Sequence, residues 1–149
     1  MNNSFENIKI VKDMLASQYL AVLASVDTGK PYSNLVAFVV TKDLKTIVFV
    51  TNRYTRKYRN IIANENISLL VDSRANQPSD FSTAVALTII GSAREAGNKE
   101  REKLVSLYLT KHPHLSQFVN NPSQAVMRIT VADYIVASFD KVQVMHIDD

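Results

Sequence analysis

Cationic side chains cluster in one short stretch of this 149-residue chain. Between Asp43 and Glu65 the chain has no acidic residue, and its basic residues there are Lys45, Arg53, Arg56, Lys57 and Arg59. Several of them lie close to Thr55, whose hydroxyl suits the N-cap of a helix. A cation at a helix N-terminus costs roughly 0.3–1 kcal/mol unless an anion binds there. The spacing therefore predicts a phosphate site, although a solvated basic helix face has the same composition.

A strand followed by a helix would position these cations. Residues 47–50 form a β-branched and aromatic run, which predicts a strand that ends at the turn-prone Asn52. After Thr55, the apolar side chains of Tyr58, Ile61 and Ile62 recur on one face of a predicted helix. The basic residues would thus lie where the strand passes into the helix.

This order of residues resembles the phosphate-binding segment of the pyridoxamine 5′-phosphate oxidase-like family, the FMN-binding split β-barrels. The family pattern is approximately F-[YV]-T-N-x-x-[ST]-R-K, and the matching residues are Phe49, Val50, Thr51, Asn52, Thr55, Arg56 and Lys57. Residues 64–70, read NENISLL, resemble the segment that follows it in the family.

The resemblance implies an FMN site between the two subunits of a homodimer. Arg56, Lys57 and the Thr55 hydroxyl would hold the phosphate, and the flavin would carry the redox chemistry. The expected cofactor-binding residues are Ser33, Asn34, Leu35, Val36, Val50, Thr51, Asn52, Thr55, Arg56 and Lys57. No catalytic acid or base is visible, and the substrate and the electron donor are not indicated.

The sequence also departs from the family pattern. Many members carry Arg at the position of Asn34 and Gln near Ala86, and this chain has neither. Four interpretations therefore stay open: an FMN-dependent oxidoreductase, a flavin- or haem-binding protein without turnover, a user of coenzyme F420, and a ligand-free interaction domain. The haem alternative comes from residues 103–144, which resemble haem-handling split barrels with a YLxxHP helix.

The expected fold is mainly β, a split β-barrel of six to eight mostly antiparallel strands with peripheral helices. A single domain, 1–149, suffices for this length. An amphipathic helix over 3–18, with Asn3 and Glu6 in capping-box-like spacing, would plug one barrel end. A later helix over 99–111 would end at His112-Pro113, and Gly91 predicts a bulge or a close backbone approach in a long strand.

Composition narrows the remaining classes. The chain has no cysteine, and its net charge of +3 is too small to favour nucleic acid. Its apolar runs fall short of the roughly 18 residues of a membrane span. His112 and His114 have no acidic ligand nearby, so no metal site is predicted. We therefore expect a cytoplasmic protein with a small-molecule substrate and no nucleic-acid or membrane partner.

Overall fold

The computed structural model describes residues 5–148, and the expected N-cap Asn3 lies outside this range. Within it, the strands are β1 (Leu20–Asp27), β2 (Lys30–Val40), β3 (Thr46–Asn52), β4 (Asn66–Asp72), β5 (Ala86–Glu95), β6 (Gln124–Ala137) and β7 (Val142–His146). The helices are α1 (Phe5–Ser17), α2 (Arg56–Ala63), α3 (Asp80–Thr83), α4 (Asn98–Lys111) and α5 (Ser116–Asn120), with a 3₁₀ turn at Pro113–Leu115.

Six of the strands close into an antiparallel barrel. The order is β3-β2-β1-β4-β5-β6, and pairing of β3 with β6 closes the ring. Strand β6 is 14 residues long, so one half pairs with β3 while the other half pairs with β7. The predicted split β-barrel with peripheral helices is confirmed. The segment 134–137 continues β6 without a break.

The bulge predicted at Gly91 is confirmed. The pairing of β5 with β6 shifts register between Ile90 and Gly91. A Cβ atom added at Gly91 would lie 2.4 Å from the carbonyl oxygen of Thr130. Only glycine therefore lets the two backbones approach this closely.

Apolar side chains fill the barrel, and a helix lies against each end of this core. Phe38, Phe49 and Leu23 are completely buried inside it. From α1, Val11 and Leu15 join the same cluster, as expected for a helix that plugs the barrel. Ile61 of α2 joins it as well. No helix among residues 5–148 is long and apolar enough to cross a membrane.

A second apolar cluster lies between α4 and the outside of the barrel. Leu104 and Tyr108 of α4 pack there against Val48 and Val50 of β3 and Val39 of β2. This packing places α4 beside β2 and β3, while α5 contacts β6. The helical segment thereby forms one wall of the cavity described next.

Candidate functional site

The N-terminus of α2 is fixed by Thr55, as the sequence predicted. Thr55 has extended backbone angles, its Oγ1 accepts from the Tyr58 amide at 3.4 Å, and the same hydroxyl donates to the Asn52 carbonyl at 2.7 Å. The helix begins at Arg56. Since a helix leaves its first amides without intrahelical acceptors, the N–H groups of Arg56 and Lys57 remain available at this end.

Two polar contacts hold α2 in place on the barrel. Asn60 Nδ2 donates to Ser25 Oγ of β1 at 3.1 Å, and both residues are buried. Tyr58 donates its hydroxyl to Glu95 at 2.7 Å. Glu95 also accepts two hydrogen bonds from Arg53, and this guanidinium is the main cause that lowers the pKa of Glu95. The charge of Arg53 is therefore already paired within the fold.

A cavity of about 340 Å³ opens beside this helix end. Its walls come from β2, β3, the start of α2, α4 and the segment after it. The lining residues are Leu35, Val36, Ala37, Val50, Thr51, Asn52, Thr55, Lys57, Tyr108, Leu115 and Phe118. We call it the α2 cavity. Its size falls within the range of about 300–1,000 Å³ that is typical of small-molecule sites.

Seven of the ten expected cofactor-binding residues line the α2 cavity. These seven are Leu35, Val36, Val50, Thr51, Asn52, Thr55 and Lys57. The structure places the other three, Ser33, Asn34 and Arg56, outside its lining. Strand β2, the end of β3 and the N-terminus of α2 thus meet at one place, as the family resemblance implied.

Lys57 is the charged group of the cavity wall. Its side chain is half-buried, and in the described chain no carboxylate lies within ion-pair distance of its ammonium. With the Asn34 amide oriented to satisfy its neighbours, Asn34 Oδ1 accepts from Lys57 Nζ at 3.1 Å and Nδ2 donates to the Leu23 carbonyl at 3.3 Å. Burial lowers the pKa of Lys57. An anion in the cavity would compensate this desolvated charge.

The Arg56 side chain contacts the β1–β2 hairpin and does not line the α2 cavity. Its Nη2 lies 3.2 Å from Asp27 Oδ2, and its guanidinium carbon lies 4.4 Å from the centre of the Tyr32 ring. Both partners belong to the β1–β2 hairpin. Arg56 would have to leave Asp27 to contact a ligand in the α2 cavity. Ser33 is exposed on the outside of β2 and contributes nothing to the cavity lining.

The sequence did not indicate the helical wall of the cavity. Tyr108, Leu115 and Phe118 belong to it, together with Ala37 of β2. Burial raises the pKa of Tyr108 to about 12, so its hydroxyl keeps its proton and can donate a hydrogen bond. The sequence predicted a helix over 99–111, but it did not show the strands against which this helix packs.

His112 has a structural role. It is buried, its Nε2 lies 2.7 Å from the Phe38 carbonyl oxygen, and its ring centre lies 4.9 Å from that of Tyr108. Burial is the main cause that lowers its pKa. In the part of the chain that the structure describes, no group of three or more His, Cys, Asp or Glu side chains could hold a metal ion.

Fold and site together define a class of protein: a six-stranded antiparallel barrel with a lysine-bearing cavity at the start of the helix after β3. The chain belongs to the pyridoxamine 5′-phosphate oxidase family, whose sequence model matches residues 9–136. No curated protein sequence matches it.

Several solved structures share the fold at low sequence identity. A protein related to general stress protein 26, from Clostridium acetobutylicum, is 15% identical, with a TM-score of 0.76 over 98% of each chain. HutZ, the haem storage protein of Vibrio cholerae, is 14% identical, with a TM-score of 0.70 over 91% of this chain and 92% of HutZ. A haem-binding protein from Mycobacterium smegmatis is 14% identical, with a TM-score of 0.79 over 89% of this chain and 55% of that protein. At these identities the likeness shows the fold alone.

Proposed function

We propose that this protein binds FMN, with the phosphate in the α2 cavity, and that it acts as a flavin-dependent oxidoreductase. The observation that carries the proposal is Lys57. Lys57 lines a cavity at a helix N-terminus, and no carboxylate among the described residues pairs with its half-buried side chain. Such a site combines a cation, free backbone amides and the positive end of the helix dipole.

Each part of the cavity has a distinct role in this proposal. Lys57 and the first two amides of α2 would bind the phosphate. The Thr55 hydroxyl already donates to Asn52, so it shapes the turn and does not act as a phosphate donor. The apolar side chains of Val36 and Phe118 suit an aromatic ring system, beside which the protonated Tyr108 hydroxyl can donate.

The flavin would supply the electron transfer, and the chain would bind and orient it. The described residues of the cavity wall include no carboxylate or imidazole that could act as a general acid or base. The substrate and the electron donor stay open. Electrostatics and orientation are therefore the contributions we assign to the protein itself.

We also propose that a second copy of the chain completes the site. Leu35, at the cavity wall, is 63% exposed, and Leu20 on the neighbouring strand is 53% exposed. Val22 of β1 lies between Leu35 and Leu70 in the strand register, so the exposed leucines extend across three strands. Burying such a face against its symmetry mate would close the open side of the cavity.

FMN is preferred over haem because the α2 cavity lacks an iron ligand. Haem iron usually takes His, Cys, Met or an ionised Tyr. Among the described residues that line the wall, none is His, Cys or Met, and burial raises the pKa of Tyr108, which disfavours the ionised form. Coenzyme F420 also carries phosphate, so the same cavity could receive it. Because haem-binding proteins share this fold, haem is the alternative cofactor that the experiment must test.

Absorption spectroscopy of the purified protein, followed by titration with FMN, tests the proposal. We expect the two visible bands of oxidised flavin and their bleaching by a nicotinamide donor. The Lys57→Met variant should lose most of the bound flavin. A Soret band in place of flavin bands would favour haem. A protein that stays colourless and does not bind added FMN would refute the proposal.

A further inference from the structure

A second cavity of about 670 Å³ adjoins the first. The two share Ala37 and Leu115 as lining residues, so they meet at this boundary. The lining of the second cavity is Tyr19, Leu20, Ala37, Lys111, His112, Pro113, His114 and Leu115. We call it the His114 cavity.

Two polar side chains of the His114 cavity already form hydrogen bonds with other parts of the chain. Lys111 Nζ donates to the carbonyls of Leu15 at 2.8 Å and Gln18 at 2.6 Å, and it lies 3.9 Å from the centre of the Phe38 ring. The His112 ring is bonded to the Phe38 carbonyl. The ammonium of Lys111 therefore ties α4 to the end of α1 and offers little to an anionic ligand.

Two other polar groups are available. His114 and Tyr19 are exposed, and no hydrogen bond joins either side chain to another described residue. Their rings stand edge-on to the buried His112, with centres 6.2 Å and 6.1 Å away at interplanar angles of 74° and 60°. The cavity thus combines aromatic rings and aliphatic side chains with an imidazole and a phenol that can donate.

We propose that the His114 cavity binds a neutral, planar aromatic molecule with a carbonyl group, of the quinone class, as a second ligand of the flavin site. The flat rings and the side chain of Leu115 match an aromatic body, and His114 matches a carbonyl acceptor. The engagement of Lys111 disfavours a charged ligand. The inference rests on the proposed function, because the shared boundary at Ala37 and Leu115 places such a ligand beside a cofactor in the α2 cavity.

Isothermal titration with 1,4-naphthoquinone, in the presence of excess FMN, tests this inference. The chain has no cysteine that the quinone could arylate. His114→Leu should weaken naphthoquinone binding about threefold to tenfold, as expected for loss of one hydrogen bond. Gln117→Leu is the matched control, since Gln117 is exposed nearby and lines neither cavity. Naphthalene, which lacks carbonyls, should bind both variants equally.

FMN binding, measured separately, distinguishes the two proposals. If naphthoquinone binding depends on His114 but the protein does not bind FMN, the His114 cavity is a quinone-class site and the flavin assignment is refuted. The quinone would then not be a second ligand beside a flavin. Normal FMN binding without naphthoquinone binding would overturn the present inference. Equal effects of His114→Leu and Gln117→Leu would overturn it too. Thermal unfolding of both variants establishes that each is folded.

Discussion

Replacing Lys57 by methionine isolates the charge on which the flavin proposal depends. Methionine keeps a long, flexible apolar chain and removes the ammonium. A hydrogen bond to a charged group contributes about 1.5–3 kcal/mol, so the Kd for FMN should rise by roughly 10- to 150-fold. The free energy of unfolding of ligand-free Lys57→Met should fall little or rise relative to the wild type, because burial already disfavours the charge of Lys57 there.

Riboflavin and Arg56→Met provide the controls for this measurement. Riboflavin lacks the phosphate, so its affinity should not change in Lys57→Met when flavin fluorescence is titrated with protein. Arg56→Met should weaken FMN binding less than Lys57→Met, because its guanidinium contacts Asp27 and Tyr32 outside the cavity. Equal losses for FMN and riboflavin would refute the assignment of Lys57 to the phosphate. Unchanged FMN affinity would refute it as well.

Three further predictions concern the same site and the barrel. Asn34→Leu removes the acceptor that orients Lys57, and should raise the Kd for FMN about threefold to tenfold while leaving riboflavin unaffected, which flavin titration can measure. The pKa of Lys57 is lowered from its ordinary 10.5. FMN affinity should fall as pH rises through this lowered pKa, because the free protein then loses the positive charge that binds the phosphate. The phosphate itself is fully ionised above about pH 8, so titrations there should show this fall in the wild type and not in Lys57→Met. Gly91→Ala should lower the free energy of unfolding by about 1–3 kcal/mol in urea denaturation, since its Cβ would meet a carbonyl of β6. Gly97→Ala meets open space and should lower it less, by the loss of a favourable N-cap residue at α4 alone.

Local sequence signals predicted much of the barrel and part of the site. The Thr55 cap, the start of α2 and the Gly91 bulge depend on one or a few adjacent residues, and the structure confirms each. The residues that form the β1–β2 turn are also adjacent in the sequence. The β1–β2 hairpin turns at Thr28 and Gly29, between the paired residues Asp27 and Lys30, and Gly29 takes a positive φ of 79°.

Long-range packing was beyond the sequence. An apolar stripe on α4 shows that the helix is half-buried, but not that Tyr108 would reach the cavity beside β3. The 3₁₀ turn brings Leu115 to the same wall, and no periodic pattern marks a turn of this length. The closure of β3 on β6 joins segments 70 or more residues apart, so no local pattern indicates the register of this pairing.

The placement of Arg56 shows why a motif match does not assign every side chain. Arg56 and Lys57 are adjacent, and on a helix neighbouring residues point about 100° apart. Lys57 faces the cavity, so Arg56 turns toward the β1–β2 hairpin, where Asp27 supplies a carboxylate and Tyr32 an aromatic face. The two basic residues therefore share a motif without sharing an environment.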